Sequence, residues 1–337
     1  MAEGRVDEAR RGRKLTFLLA ILAAAATGAS LFLGYAHLDV LQAFADFFAG
    51  RDSLASLAVI QLRLPRAILG AAIGFSLGLT GAAMQGLLRN PLAEPGVVGV
   101  SGGAAFGAVI AFYSGLSASF ALALPLGGVA GAIVSAISLF ALAGRGAGTL
   151  TLILAGAAIN AFTGALTSLA LNLSSNPYAV YEITFWMMGS LVDRSLPEAA
   201  LTIPLMIVGW ALLLSCGPAL DALTLGEDTA AGLGFDLASL RRRVVAGSAL
   251  AVGASVAVSG AVGFVGLVVP HLLRPFVGHR PGPLLLASGF GGALALIGAD
   301  ALVRALPLHP ELKLGVVTAL IGAPFFLALI QRGRRGG

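Results

Sequence analysis

Gly99-Val100-Ser101-Gly102-Gly103 is the one string in this chain with the residue types of a catalytic centre. It matches Gly-x-Ser-x-Gly, in which a serine nucleophile sits on a sharp strand-to-helix elbow. Here the string follows Pro95 within an apolar, glycine-rich run, so helix packing is the stronger reading of Ser101. His37, His271, His279 and His309 show no metal-ligand spacing, and no His-Glu-x-x-His occurs, so no metal site is expected. Lys14 and Lys313, the only lysines, follow Arg13 and Leu312. No Gly-x-x-x-x-Gly-Lys-[Ser/Thr] loop therefore exists to cradle nucleotide phosphates, and any ATP hydrolysis must come from another polypeptide. Cys216 is the single cysteine, which rules out an internal disulfide. What remains is guanidinium chemistry. Arg63, Arg66 and Arg304 can form bidentate pairs with carboxylates and steer an acidic partner. The competing reading is local pairing, since Arg304 lies four residues after Asp300.

The elements that must position these residues are membrane helices. Only 11% of the 337 residues are charged, 58% are hydrophobic and the mean hydropathy is +0.94. Residues 15–38, 67–88, 95–144, 146–181, 199–220, 244–273, 281–299 and 314–331 carry no Asp, Glu, Lys or Arg apart from the interruptions between them. A spanning helix needs about 20 mostly apolar residues. The run 95–144 divides at Ser114-Gly115-Leu116-Ser117, and strand-like alternation is absent. The fold class is thus all-α, a polytopic membrane protein with about ten transmembrane helices. The run after Arg11-Gly12-Arg13-Lys14 reaches Tyr35, too long for a signal-peptide core, and reads as the first span. The expected spans are about 15–36, from Arg63–Arg66 to Arg89, then about 95–113, 120–142, 150–172, 199–216, 244–262, 264–277, 284–306 and 314–332. The eighth is short or partly unwound, with Gly260, Gly263, Gly266 and Pro270 permitting a break if protein covers it. Aromatics in 173–198 suit an interfacial helix.

Placing the N-terminus in the cytoplasm puts fifteen of the 21 Lys and Arg inside, Arg145 among them. That asymmetry favours both termini inside. The net charge of +5 is then a matter of orientation and not of nucleic-acid binding. An inverted internal repeat is possible, because Arg66-x3-Gly70 and Arg243-x3-Gly247 each open a span and Pro91 and Pro270 follow at similar offsets. Gln85, Asn160 and Asn172 are the main polar amides in or near spans. They line a path or hydrogen-bond between helices. No carboxylate sits at a span centre, which counts against an ion-coupled carrier.

Three strings carry a resemblance: Gln61-Leu62-Arg63-Leu64-Pro65-Arg66 with Gln85-Gly86-Leu87-Leu88-Arg89-Asn90-Pro91-Leu92-Ala93-Glu94-Pro95, then Gly263-Phe264-Val265-Gly266-Leu267-Val268-Val269-Pro270-His271-Leu272-Leu273-Arg274, then Glu311-Leu312-Lys313-Leu314-Gly315-Val316-Val317-Thr318. Over about 60–332 the chain resembles the FecCD-type permeases of ATP-binding-cassette importers, which carry iron-siderophore complexes, haem or vitamin B12 (cobalamin) across the bacterial inner membrane. Charge and hydropathy give a cytoplasmic segment 1–14, a permease domain 15–332 and a cytoplasmic tail 333–337, and the resemblance implies a coupling loop at about 221–243. It implies a homodimer or close heterodimer embedded in membrane lipid, two cytoplasmic ATPase subunits that use the ATP, and a periplasmic binding protein. No cofactor is expected on this chain itself. Arg63, Arg66 and Arg304 then dock the binding protein, and Leu225, Gly226, Glu227, Thr229, Ala230, Leu233 and Gly234 couple to the ATPase. Spans 5 and 10 line the path, with Gln85, Asn160, Thr163 and Thr318 as polar candidates. A ferric siderophore is the first-ranked cargo, ahead of haem or cobalamin. Lys313 stands where the family usually has proline, which puts the entrance to the last span in question.

Overall fold

The computed structural model describes residues 2–34, 36, 38–144, 148–306, 308 and 310–335; Tyr35, His37, Arg145 and His309 lie outside them. Every regular element among the described residues is helical. In chain order these are α1 (Ala2–Ser30), α2 (Val40–Phe48), α3 (Leu54–Ala58), α4 (Leu64–Leu87), α5 (Val100–Tyr113), α6 (Leu116–Ser119), α7 (Ala123–Ala143) and α8 (Thr149–Asn172). There follow α9 (Pro177–Met187), α10 (Leu196–Ser215), α11 (Gly217–Leu223), α12 (Glu227–Gly232), α13 (Leu237–Ser259), α14 (Val265–Leu273), α15 (Pro281–Ala305) and α16 (Leu314–Arg335). Seven stretches are long and apolar enough to cross a membrane, within α1, α3–α4, α7, α8, α10, α13 and α15. Three shorter apolar helices, Val100–Tyr113, Val265–Val277 and Leu314–Ala328, complete the about ten expected.

Two local boundaries differ from the sequence expectation, each for a physical reason. The third span does not start at Pro95. Pro95–Val98 form a 3-10 turn, and Gly99 at φ +79° turns the chain before α5 begins. The second span starts earlier than Arg63, because α3 runs into α4 through a π-helical turn, Val59–Arg63. Pro65 lacks an N–H and its ring crowds the carbonyl four residues back, so the ladder widens there.

Helices α4, α13 and α15 form the centre, and α1 and α8 the periphery: 83% of the α4 span is buried, against 11% of the α1 span. The centre is close-packed because it is built on small residues. A Cβ on Gly74 or Gly78 of α4 would run into the Gly292 and Ser288 carbonyls of α15. The same spacing recurs where Gly103 and Gly107 of α5 meet Gly127 and Gly131 of α7. With no hydrophobic drive between helices in lipid, such backbone proximity supplies the packing.

The expected break in 260–264 is present, and protein covers it. Helix α13 ends at Gly260, φ +69°, and α14 begins after Phe264, φ +66°. The exposed peptide groups find partners: Ser259 O accepts from Ser190 N at 2.7 Å, and the Phe264 N–H donates to the Glu94 carboxylate at 3.1 Å. The end of α9 thus plugs the break. Helices α4 and α13 run in opposite directions, as an inverted pair would. Their leading arginines nevertheless differ, since Arg66 is largely buried by carboxylates and Arg243 is exposed.

Candidate functional site

At the end of the bundle opposite the N-terminus, Pro65 opens α4 and places Arg66 in its first turn. Its Nε donates to Asp300 Oδ1 at 3.0 Å, and its Nη2 donates to Glu311 Oε2 at 2.8 Å. Asp300 also pairs with Arg304 one turn later on α15, Nη2 to Oδ2 at 2.9 Å. The Arg304 Nη1 donates to the carbonyls of Ser30 and Leu33 at 2.9 and 3.1 Å. Arg63 donates from Nη1 to Leu31 O at 2.9 Å and from Nη2 to Ala36 O at 2.6 Å. Leu31 directly follows the end of α1 and Ala36 lies in the loop beyond it, so Arg63 fastens that loop to the start of α4. The side chains of Arg66, Asp300, Arg304 and Glu311 are between 5% and 16% exposed. The three arginines of the sequence reading therefore come together, and two of them are committed to internal carboxylates. A small cavity of about 280 Å³ beside them is bordered by Arg63, Asp193 and Glu311.

This cluster ties α1, α4, α15 and the segment before α16 into one corner. Lys313 does not disturb that segment. Its carbonyl accepts from Val316 and Val317 N–H at 3.0 and 3.2 Å, which opens α16 in the ordinary way. Its ammonium lies 5.3 Å from the Phe185 ring centre of α9, a cation–π distance.

At the other end, α11 and α12 form the segment expected to meet a partner. Gly226, at φ +108°, separates them. Gly234 at φ +90° ends α12, with Gly234 N–H bonded to Ala231 O at 2.9 Å and Phe235 N–H to Ala230 O at 3.1 Å. That pair of bonds is a Schellman termination, which fixes the exit direction. Glu227 accepts from Arg241 Nη2 at 2.9 Å, fastening α12 to α13, and Thr149 Oγ1 lies 3.4 Å from its other oxygen. Asp221 accepts from Gly282 N–H at 2.7 Å and Arg280 Nη2 at 2.6 Å, fastening α11 to α15. Ala230 is buried, but Leu225 and Leu233 are 64% and 60% exposed. Two leucines on a braced two-helix frame make an apolar knob at an end of the bundle.

The four polar path candidates sit in helix interfaces. Gln85 is buried, donating to Leu267 O at 3.2 Å and accepting from Arg274 Nη2 at 2.6 Å, so it joins α4 to α14. Asn160 holds the Gly96 carbonyl of the 3-10 turn. Thr163 and Thr318 are buried and return their hydroxyls to carbonyls of their own helices. Helix α8 instead presents an outward apolar row, with Leu150, Leu154, Phe162 and Leu169 all exposed, and α16 presents Leu320, Ile321 and Leu327. Ser101 lies in the first turn of α5 after a 3-10 turn, and no strand leads into it, so the nucleophile elbow is missing.

Sequence reasoning quoted Glu94 and Glu311 without giving either a role. Each lay in a recognisable string, but its partner is far away in sequence. Asp221 was likewise hidden.

Comparison with known proteins agrees with this architecture. The FecCD transport family matches residues 18–332. The chain is 41% identical to the vitamin B12 import system permease protein BtuC of Vibrio cholerae over 85% of this chain and 86% of that one. It is 38% identical to the cobalamin import system permease protein BtuC of Halobacterium salinarum over 84% and 75%. It is 39% identical to the hemin transport system permease protein HmuU of Yersinia pestis over 82% and 85%. A solved inward-facing structure of a metal-chelate type ABC transporter superposes with a TM-score of 0.82 at 31% identity, covering 95% of this chain and 99% of that one. A helical bundle whose centre, outer ion cluster and braced two-helix segment all fall within the matched span belongs to the FecCD transport family.

Proposed function

We propose that this chain is the membrane-spanning permease subunit of an ATP-driven importer that brings a bulky metal chelate into a bacterial cell. One observation carries the reading. The α11–α12 frame presents Leu225 and Leu233 to a partner, on a chain that has no nucleotide-binding loop of its own. In this reading both termini are cytoplasmic, and two ATPase subunits seat on the knobs of two permease copies. A rigid-body shift at α12 then passes through Glu227–Arg241 and Asp221–Arg280 into α13 and α15.

The path runs between the two copies, along the outward apolar faces of α8 and α16. Such a surface offers a bulky solute little to bind tightly, which favours passage. A periplasmic binding protein docks on the Arg63, Arg66 and Arg304 end. Arg63 is more accessible than Arg66 or Arg304, which fix the surface around it. Three arginines stand there with Asp300, Glu311 and Asp193, and Arg63, which donates only to backbone carbonyls, is the guanidinium offered to an acidic partner. The relatives named for cobalamin and hemin raise a metal tetrapyrrole above a ferric siderophore as the preferred cargo.

The test is uptake into proteoliposomes holding the permease with its ATPase, supplied with binding protein loaded in turn with cobalamin, haemin or a ferric siderophore. ATP-dependent accumulation of a tetrapyrrole is expected, and Arg63→Glu should weaken capture of the binding protein. Accumulation driven by an ion gradient without the ATPase would overturn the reading.

A further inference from the structure

Between α1 and α15, at the N-terminal end of the bundle, lies a trough of about 1050 Å³ whose apolar walls the proposed transport cycle does not use, although Arg280 at its edge also braces α11. That volume is at the upper end of the roughly 300–1,000 Å³ of small-molecule sites. Its walls are of two kinds. Phe17 and Ala20 of α1 face Leu286 and Phe290 of α15 along its depth, while Arg13 and Arg280 stand at its mouth. Phe17 is 69% and Leu286 40% exposed, so this chain leaves the apolar wall uncovered.

The charges at the mouth are one-sided. No carboxylate lines the trough among the described residues. Arg280 is oriented by Asp221, which accepts from it at 2.6 Å and is itself held by the Gly282 N–H, yet the Arg280 side chain stays 62% exposed. Arg13 is exposed, and Arg10, Arg11 and Lys14 lie near it on α1. Thr16 spends its hydroxyl on the Gly12 carbonyl at 3.0 Å, so the wall below the arginines makes no polar demand.

Depth fits the two-part chemistry. From Arg13 to Ala20 and from Arg280 to Phe290 the helices rise roughly 10–15 Å. That is the thickness of one leaflet of a hydrocarbon core about 30 Å across. A pair of arginines at the head of a leaflet-deep apolar trough complements one phosphate and one acyl chain. Basic pockets between membrane helices are suited to such headgroups.

We infer that this trough is a binding site for an anionic glycerophospholipid of the leaflet at the N-terminal end, its phosphate on Arg13 and Arg280 and its chain against Phe17, Ala20, Leu286 and Phe290. Thr224, the residue before the Leu225 knob, borders the same trough. A bound lipid would therefore brace α1 and α15 next to the coupling segment. The inference does not depend on the cargo.

Native mass spectrometry of the full chain, purified in a non-ionic detergent and stripped of lipid, tests it. Phosphatidylglycerol and phosphatidylcholine of identical chains are titrated separately, with glycerol phosphate as the headgroup alone. Phosphatidylglycerol should bind at least fivefold more tightly than phosphatidylcholine. Arg13→Gln, at an exposed position that leaves the fold untouched, should cost about fivefold in phosphatidylglycerol binding. It should leave phosphatidylcholine unchanged, and Ala20→Trp, which fills the trough, should weaken both. Arg242→Gln removes an exposed charge elsewhere on that end and should change neither. Equal binding of the two lipids, or an equal loss from Arg242→Gln, would refute the site. If glycerol phosphate binds as well as phosphatidylglycerol and Ala20→Trp has no effect, the trough is a free-phosphate pocket and the lipid inference fails.

Discussion

Arg66 shows how much one side chain carries. It bridges Asp300 and Glu311, which are 234 and 245 residues away, at a site only 12% exposed. Removing one partner from a buried ion cluster leaves the other charges uncompensated, which costs about 3–5 kcal/mol. Arg66→Ala should therefore lower the unfolding midpoint of the purified chain sharply, and Arg66→Lys should restore little, because an ammonium cannot reproduce the forked contacts. An unchanged midpoint in detergent would show that the cluster is not structural. The sequence made the Asp300–Arg304 pair legible by its four-residue spacing, but nothing local points from Arg66 to Glu311. Asp46 offers a gentler test. Hydrogen bonds from Ser53 and Arg51 hold its carboxyl below the usual value of 3.8. Because the folded value is the lower one, the contribution is fully present above about pH 4 and is lost as pH falls through the lowered value. A spin label at Phe48→Cys, on the exposed face of α2, should report an ordered helix at pH 7 and a mobile one only below that window. Mobility already present at neutral pH would contradict this.

At the scale of elements, the uncharged intervals give the spans because lipid tolerates few charges, and the break after Ser259 was legible because two full helices cannot fit into 244–273. What the sequence did not show is who closes the break. That depends on the end of α9 and on Glu94, and no periodicity encodes either contact. The early kink before α4 was equally hidden, since a π-turn reads as continuous apolar helix. Close approach of α4 and α14 supplies a prediction. A Cβ on Gly81 would run into the Gly266 carbonyl, so Gly81→Ala must push two helices apart. Overpacking of this kind costs about 1–3 kcal/mol. Gly164→Ala, on the open face of α8 with nothing within 4 Å, is the matched control and should be neutral or slightly stabilising. Equal midpoints for the two variants would argue that α14 is free to retreat.

For the whole molecule, the question is how a shift at one end reaches the other. The α11–α12 frame is braced by Asp221 to α15 and by Glu227 to α13, two of the three central helices. Leu225→Asp with Leu233→Asp should leave the permease folded and dimeric while abolishing stimulation of the partner ATPase by loaded binding protein. Retained stimulation would place coupling elsewhere. The resemblance pointed to this segment in the sequence, and for the amides Gln85 and Asn160 the sequence left a path and an interhelical bond both open. Gln85 shows why. An amide in a span satisfies the backbone or the solute, and only packing decides which.

The glycine seams between α4 and α15, and between α5 and α7, have a consequence for motion. Where main chains touch with no side chains interposed, there is no compliant layer to shear. These pairs must travel as blocks. Any relative motion of these blocks then falls to the glycine-punctuated joints at 99, 226 and 260.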